Sequence, residues 1–422
     1  MSLKILLKSV KVIDPSSAHN GKVVDILIHN GTIKQIGTGL SEEGAELFAE
    51  KDICVSPGWF DSRANFRDPG FEQKEDLESG CKAAIAGGFT AVAVSPDTLP
   101  PVYNKTGVEY IKNKSKDFPV DFYPLGALSQ KLEGNEIAEM YDMFEAGAIA
   151  FTDDKKSVAN TSLLLRGLLY AKNFNGLVLS YPEDKHLAGK SQVHEGFHST
   201  KAGMKGIPSL AEEIIVRRDI ALAEYAETSI HITGISTSGG LEAIKEAKQR
   251  GQQVSCDMNF YQIALSDEHL ESFDSNYKVK PPLRDKKNIQ ALKDALKDGT
   301  LEVICSDHSP EDEESKNVEF EYAAYGMLGL ELCYAVTKTF SGLSDDQIIE
   351  KISINPRRIY KLPPVSVQEG GIASLTLFSP NVKWTFKTDH IRSKSKNTPF
   401  LNQELTGRAE AIVNKGKLIP SH

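Results

Sequence analysis

Two patterns of apolar and polar positions alternate along the chain and divide it into three stretches. Residues 3–55 carry short apolar runs with a period near two: ILLKSVKVID, then VVDILIHNGTIKQIG, with Asn30-Gly31 between two runs as a hairpin turn. A small β module is expected there. From about 56 to 355, short apolar runs are separated by longer stretches of helical period, the pattern of parallel strands joined by crossover helices. The runs are GWFDSRAN (58–65), TAVAVSP (90–96), VDFYPLG (120–126), AIAFTD (148–153), LVLSYP (177–182), IHITGIS (230–236), QVSCDMN (253–259) and EVICSDH (302–308). Eight such strands close a (β/α)8 barrel, and their polar C-terminal ends fall where this fold carries its active site. Beyond 356, GGIASLTLFS, VKWTFK and GRAEAIVNKGKLI return to short strands bounded by Gly and Asn. The division is therefore 1–55 and 356–422 for one small β-sandwich made by both chain ends, and 56–355 for the barrel. Near 310–320, EDEESKN reads as a charged, mobile loop.

Composition narrows the function classes. The 422 residues, 40% hydrophobic, suffice for one large core and a smaller companion. The net charge of −9, from 58 acidic and 49 basic residues spread along the chain, leaves no basic face for nucleic acid. No run approaches the roughly 18 apolar residues of a membrane span, and the opening MSLKILLKSVKVID lacks a signal peptide's apolar core and cleavage site, so a cytoplasmic protein is expected. Five widely spaced cysteines (Cys54, Cys81, Cys256, Cys305, Cys333) form neither a disulfide framework nor a CxxC metal knuckle, which fits a reducing compartment.

The segment SPGWFDSRANFRDPG (56–70) resembles the first barrel strand of type I dihydroorotases, whose run is PG-x-x-D-x-H-x-H-x-R-D-P-G. Ten further stretches match in order: SPDTLPP (95–101), AFTDD (150–154), YPED (181–184), VHEG (193–196), GIP (206–208), HITGIST (231–237), KVKPPLR (278–284), SDHSP (306–310), YGMLGLE (325–331) and SKNTPF (395–400). The resemblance spans nearly the whole chain. It implies an α/β fold of the amidohydrolase kind, a TIM-type barrel with a flanking β-sandwich, that uses zinc to open or close the cyclic amide of dihydroorotate. Zinc polarises the amide carbonyl and lowers the pKa of a bound water towards neutrality.

Carried over position by position, the resemblance implies that the zinc ligands are altered. The H-x-H pair, which a strand would point into the mouth together, is Arg63 and Asn65 here. The ligand histidines at the ends of strands five and six fall on Tyr181 and Gly234. Asp154 (or its neighbour Asp153) and Asp307 remain, the latter matching the family's general acid/base. No metal is expected, and Asp307 is expected to be vestigial. Of the substrate-binding positions, Arg67 is retained, as is the backbone at Tyr325-Gly326; Asp97, Lys280 and Glu311 replace two Asn and a His. Arg67 either keeps its carboxylate-binding role or pairs internally with Asp97.

Two inward aspartates require a cation. Arg63 is expected to supply it, helped by Lys280 or Lys155. Other histidines do not rebuild a site: His231 and His308 read as packed structural residues, and His194 and His198 as a solvated pair. The resulting expectation is a non-catalytic homologue, a homodimer acting as a structural partner, with aspartate carbamoyltransferase as the partner that the resemblance suggests. The alternatives are a cyclic-amide hydrolase with an atypical metal site and a small-molecule binding protein.

Overall fold

The computed structural model describes residues 3–422; Met1 and Ser2, the first two residues of the N-terminal segment, lie outside it. All eight runs form strands: β1 (Trp59–Ala64), β2 (Phe89–Val94), β3 (Asp121–Gly126), β4 (Ala150–Phe151), β5 (Leu179–Ser180), β6 (Ile230–Ile232), β7 (Val254–Asn259) and β8 (Val303–Cys305). Parallel ladders join β1 to β4 and β5 to β8 in chain order. Single parallel bridges, Phe151 to Val178 and Ala64 to His308, link the two halves, so the sheet closes on itself. The fold is a TIM-type barrel.

Alternation along β2 shows how the sequence builds two layers. Ala91 and Ala93 join Phe60, Leu125, Ala150, Leu177 and Leu179 in one buried cluster, while Val92 and Val94 pack in the cluster shared with the outer helices. Phe60 lies opposite the small Ala91 in the β1–β2 ladder. Tyr360 belongs to the inner cluster and donates its hydroxyl to the Ser62 carbonyl at 2.9 Å, and the Arg357 guanidinium lies 5.8 Å from the Phe60 ring centre. These two side chains, from the end of the last barrel helix, fill the interior below the mouth.

Crossover helices begin where the sequence supplies caps. Asp76, Asn104, Asn160, Thr237 and Asp285 each accept a backbone N–H in the first turn of the helices Leu77–Ala86, Lys105–Ser115, Thr161–Lys172, Ser238–Gln249 and Lys286–Asp298. Each cap satisfies donors that the helix itself leaves unpaired.

The chain ends share one hydrogen-bonded sheet of eight strands. Its hinge is Cys54–Pro57, parallel to Lys4–Val12 on one side and antiparallel to Leu375–Thr385 on the other. Asn30 and Gly31 adopt φ of 48° and 77° between the paired His29 and Thr32, which makes the expected two-residue hairpin turn.

The EDEESKN segment differs from the loop expected of it. Asp312 caps a short helix, Glu313–Lys316, by accepting from Ser315 N at 2.8 Å. Lys316 is only 6% exposed and donates to the carbonyls of Ala324 (3.0 Å) and Gly326 (3.1 Å). Lys278, also buried, donates to the carbonyls of Phe320 and Glu321, both at 2.8 Å. Two ammonium groups therefore pin the segment 320–326 across the barrel mouth. Charge alone suggests a mobile loop; the backbone carbonyls next door make burial of the lysine affordable. Burial pushes both lysines down, to about 8. Replacing Lys316 with Met leaves two carbonyls without their donor, and we expect a loss of about 1–2 kcal/mol in urea unfolding.

Candidate functional site

The first barrel strand sets the site's geometry. Opposite Val92 and Val94 of β2, β1 places Asp61 and Ala64, one residue too many, so a bulge falls at Ser62-Arg63. Bulges re-aim side chains. Here Arg63 enters the mouth fully buried, with Nη1 3.0 Å from Asp307 Oδ1 and Nη2 3.9 Å from Asp257 Oδ1. Nη2 also donates to Asn259 Oδ1 at 2.9 Å. The contact with Asp307 is misaligned for a hydrogen bond, and Arg63 Nε has no acceptor among the described residues. Charge rather than direction therefore carries this pair.

The other five positions read from the sequence as altered or retained ligands gather at the mouth with this guanidinium. Asn65 donates to Asp154 Oδ2 at 3.4 Å, and Ser95 to Asp154 Oδ1 at 2.7 Å. Gly234 has φ of +70°, and a Cβ there would stand 3.7 Å from both Arg63 Nη2 and the Tyr181 ring. With Pro281 Cδ at 3.4 Å as well, the position is enclosed on three sides. Asp153 turns away to Ser129 and the backbone of Leu128, so Asp154 is the aspartate of the site.

Asp307 is surrounded by donors. Lys155 Nζ lies 2.9 Å from each of its oxygens, and Asn259 Nδ2 (2.9 Å) and the Tyr261 hydroxyl (3.0 Å) donate to Oδ2. Lys155 also donates to Ser309 Oγ at 2.8 Å. Of the two lysines expected to help Arg63, Lys155 joins the cluster. Lys280 does not: its Nζ pairs with Glu183 Oε1 at 2.7 Å and lies 5.6 Å from the Tyr181 ring centre.

Electrostatics follow from these placements. Burial would depress Arg63, but Asp307, Cys305, Asp257 and Asp154 outweigh it and raise it well above the usual guanidinium value. Burial likewise opposes ionisation of Asp154 and Asp257, yet Lys155 and Arg63 hold the first below the carboxylate range, and His231 and Arg63 the second. The cluster is a paired network, not two stranded carboxylates. Arg67, Asp154 and Asp307 all adopt positive φ, 59°, 53° and 46°, conformations that cost L-residues energy and gather at functional sites.

Three of the positions that the resemblance assigns to substrate binding are paired among themselves. Arg67 Nη1 meets Asp97 Oδ2 at 2.9 Å and Nη2 meets Glu311 Oε1 at 2.6 Å, while Lys74 takes the other Glu311 oxygen. Arg67 is thus an internal ion-pair partner. Burial and the nearby Asp154 raise Asp97, against the pull of Arg67. Gly326 donates its N–H to the Lys278 carbonyl at 3.0 Å, and the Tyr325 ring centre lies 4.9 Å from Lys278 Nζ.

Among the histidines, His231 is fully buried, with Nδ1 2.8 Å from Ser255 Oγ and Nε2 3.0 Å from Asp257 Oδ2, and His308 packs against Glu75 at 3.3 Å. His194 corrects the expectation of a solvated pair. It is 5% exposed, and Arg284 Nη1 approaches its Nδ1 at 3.1 Å. Arg284 in turn reaches Glu212, which also accepts from Ser236 and Thr237. His198 does sit at the surface, paired with Glu271.

Sequence reading missed Asp257, Asn259, Tyr261, Ser95 and Ser309. The signal was present for the first two, since they alternate at the C-terminal end of β7 as Arg63 and Asn65 do at that of β1.

Zinc needs imidazole, thiolate or carboxylate donors. At the six positions only Asp154 and Asp307 offer them, and among the described residues no group of three or more His, Cys, Asp or Glu is disposed to hold a metal ion. The donor set does not fit zinc, and Arg63 fills the space between the carboxylates. All five cysteines are free and buried, and no helix among the described residues is long and apolar enough to cross a membrane.

The profile of the family described as Dihydro-orotase-like matches residues 53–239. Proteins named dihydroorotase are similar along the whole chain: that of Pelobacter propionicus is 37% identical over 422 residues and that of Syntrophus aciditrophicus 39% over 423, each comparison covering 99% of both chains. That of Acetivibrio thermocellus is 39% identical over 420 residues, covering 98% of both. Among solved structures, L-hydantoinase (dihydropyrimidinase) from Arthrobacter aurescens superposes with a TM-score of 0.87 at 21% identity, over 98% of this chain and 95% of that one. D-Hydantoinase (dihydropyrimidinase) from Thermus sp. gives 0.82 at 22%, over 99% and 96%. At such identity the structural likeness speaks for the fold alone. With relatives this similar over its full length, the chain belongs to the dihydroorotase family.

Proposed function

We propose that this dihydroorotase homologue of pyrimidine biosynthesis does not open or close the dihydroorotate ring and acts as a structural partner in the cytoplasm. Aspartate carbamoyltransferase is the candidate partner, and a homodimer the candidate state. The observation that carries the reading is Arg63, whose guanidinium stands 3.0 Å from Asp307 in the middle of the carboxylate cluster. A ring amide needs a hydroxide-like nucleophile. Without a metal, water keeps a pKa near 15.7 instead of about 7, which withholds about 12 kcal/mol of hydroxide availability. Asp307 cannot make this good, because its oxygens already face Arg63, Lys155, Asn259 and Tyr261.

A second reading, an active cyclic-amide hydrolase with an atypical metal site, is favoured by the names of the relatives at 37–39% identity. One experiment separates the two. Purified protein is analysed for bound metal and assayed for dihydroorotate hydrolysis and carbamoyl-aspartate cyclisation, with and without added zinc. We expect no stoichiometric zinc and no turnover above the uncatalysed rate. Stoichiometric zinc with turnover would select the second reading. The partner role predicts co-elution with aspartate carbamoyltransferase, or its thermal stabilisation on mixing; two independent peaks and unchanged melting would remove it.

A further inference from the structure

Outside the six converged positions, a cleft of about 410 Å³ opens at the barrel mouth between the loops that follow β5, β7 and β8. Its size lies within the range of small-molecule sites. At its wall lies the Lys280–Glu183 pair, 2.7 Å apart, with side-chain exposures of 26% and 14%. Three tyrosines accompany the pair: Tyr181 beside the ammonium, and Tyr322 and Tyr325 on the cleft wall. Ile207 and Val279 supply apolar surface. The remaining charged lining residues, Lys190 and Glu321, are exposed and of opposite sign, so the lining is neutral as a whole.

A ligand with a single charge faces a penalty here. An anion taken by Lys280 would leave Glu183 partly buried and unpaired, and a cation taken by Glu183 would do the same to Lys280. A molecule carrying both charges satisfies both partners. Its carboxylate replaces Glu183 at Lys280, and its ammonium replaces Lys280 at Glu183 beside the tyrosine ring, where a cation is favoured. An apolar body then covers Ile207 and Val279.

We propose that this cleft binds a zwitterion with an apolar side chain, an α-amino acid or a short peptide. The proposal rests on the reading that the inner site is sealed by its own ion pairs, so that a ligand is held outside it without chemistry. The test is isothermal titration calorimetry of the full-length protein with L-phenylalanine, L-leucine and the dipeptide Leu-Phe, alongside 3-phenylpropionate and phenethylamine as single-charge analogues. At least one zwitterion is expected to bind saturably in the millimolar range or tighter, and both analogues at least tenfold more weakly.

Glu183→Gln and Lys280→Gln should each weaken zwitterion binding tenfold or more. Should either variant misfold by circular dichroism, Ser191→Trp, which fills the cleft from its rim, should abolish binding in a folded protein. No binding by any zwitterion at 10 mM-scale concentrations, equal binding by the analogues, or wild-type affinity in folded variants would each overturn the proposal. Dihydroorotate turnover by the wild-type protein would remove the sealed-site reading instead, and it is measured without any amino acid present.

Discussion

Arg63→Met is expected to cost about 3–5 kcal/mol of stability at neutral pH, the range for removing one partner from a buried charge cluster. Methionine matches much of the volume but none of the charge. Asp307 would retain Lys155, and Asp257 would retain His231, yet both would lose the cation that lies between them. Asn259 would also lose the donor at its Oδ1. Arg63→Lys should fall between the two, because an ammonium cannot span Asp307, Asn259 and Asp257 as a planar fork does.

The pH dependence of that deficit is a sharper check than its size. Arg63 helps hold Asp154 and Asp257 below the usual carboxylate range, so its stabilisation is present above the unfolded carboxylate pKa and fades as pH falls towards the depressed folded values. The difference between wild type and R63M in urea unfolding should therefore be largest at neutral pH and shrink in acid. A neutral-pH loss below about 1 kcal/mol would mean that the cluster is not organised around Arg63.

The second large effect belongs to His194. Burial and then the neighbouring Arg284 push it down from 6.5 to about 4. Above pH 6.5 the imidazole is neutral in folded and unfolded chains alike, and it makes no pH-dependent contribution. As pH falls from 6.5 to 4 the unfolded chain takes up a proton that the folded chain refuses, so stability is lost across that window and the loss levels off below 4. The full loss is about 3 kcal/mol. His194→Gln keeps an acceptor for Arg284 and removes the titration. Urea denaturation of both proteins at intervals between pH 7 and 4 should show a shallower slope in the variant, and parallel slopes would refute the assignment.

The barrel was legible because each strand announces itself locally, as a short apolar run that ends in polar residues. Even β4, a ladder of only Ala150 and Phe151, lies inside the run AIAFTD. The place of Arg63 was legible from the resemblance of SPGWFDSRANFRDPG to the family's first strand, and its role from the charge that two aspartates demand. What stayed hidden depends on distant partners. Nothing near His194 in sequence indicates that Arg284, ninety residues away, will meet it in the interior. Nor does EDEESKN reveal that carbonyls at 324 and 326 await Lys316. Lys155 and Lys280 could not be ranked from sequence, because each has the reach and the charge. The backbone decided between them, turning one towards Asp307 and the other towards Glu183.

The bulge at Ser62-Arg63 delivers the central positive charge as part of the polypeptide. A resident metal has a dissociation constant, competitors and a supply to depend on; a guanidinium on the backbone has none of these. Its occupancy is fixed at translation, and no chelator can titrate it away. The same permanence constrains descent. A lineage moving from this arrangement to a metal-binding one would have to exchange Arg63 for a ligand while Asp154, Asp257 and Asp307 stay in place, and that step would leave Asp307 to Lys155 and Asp257 to His231 alone. Exchanging that charge therefore costs stability before any metal can repay it, which makes the cluster a barrier in sequence space as well as a brace in the fold.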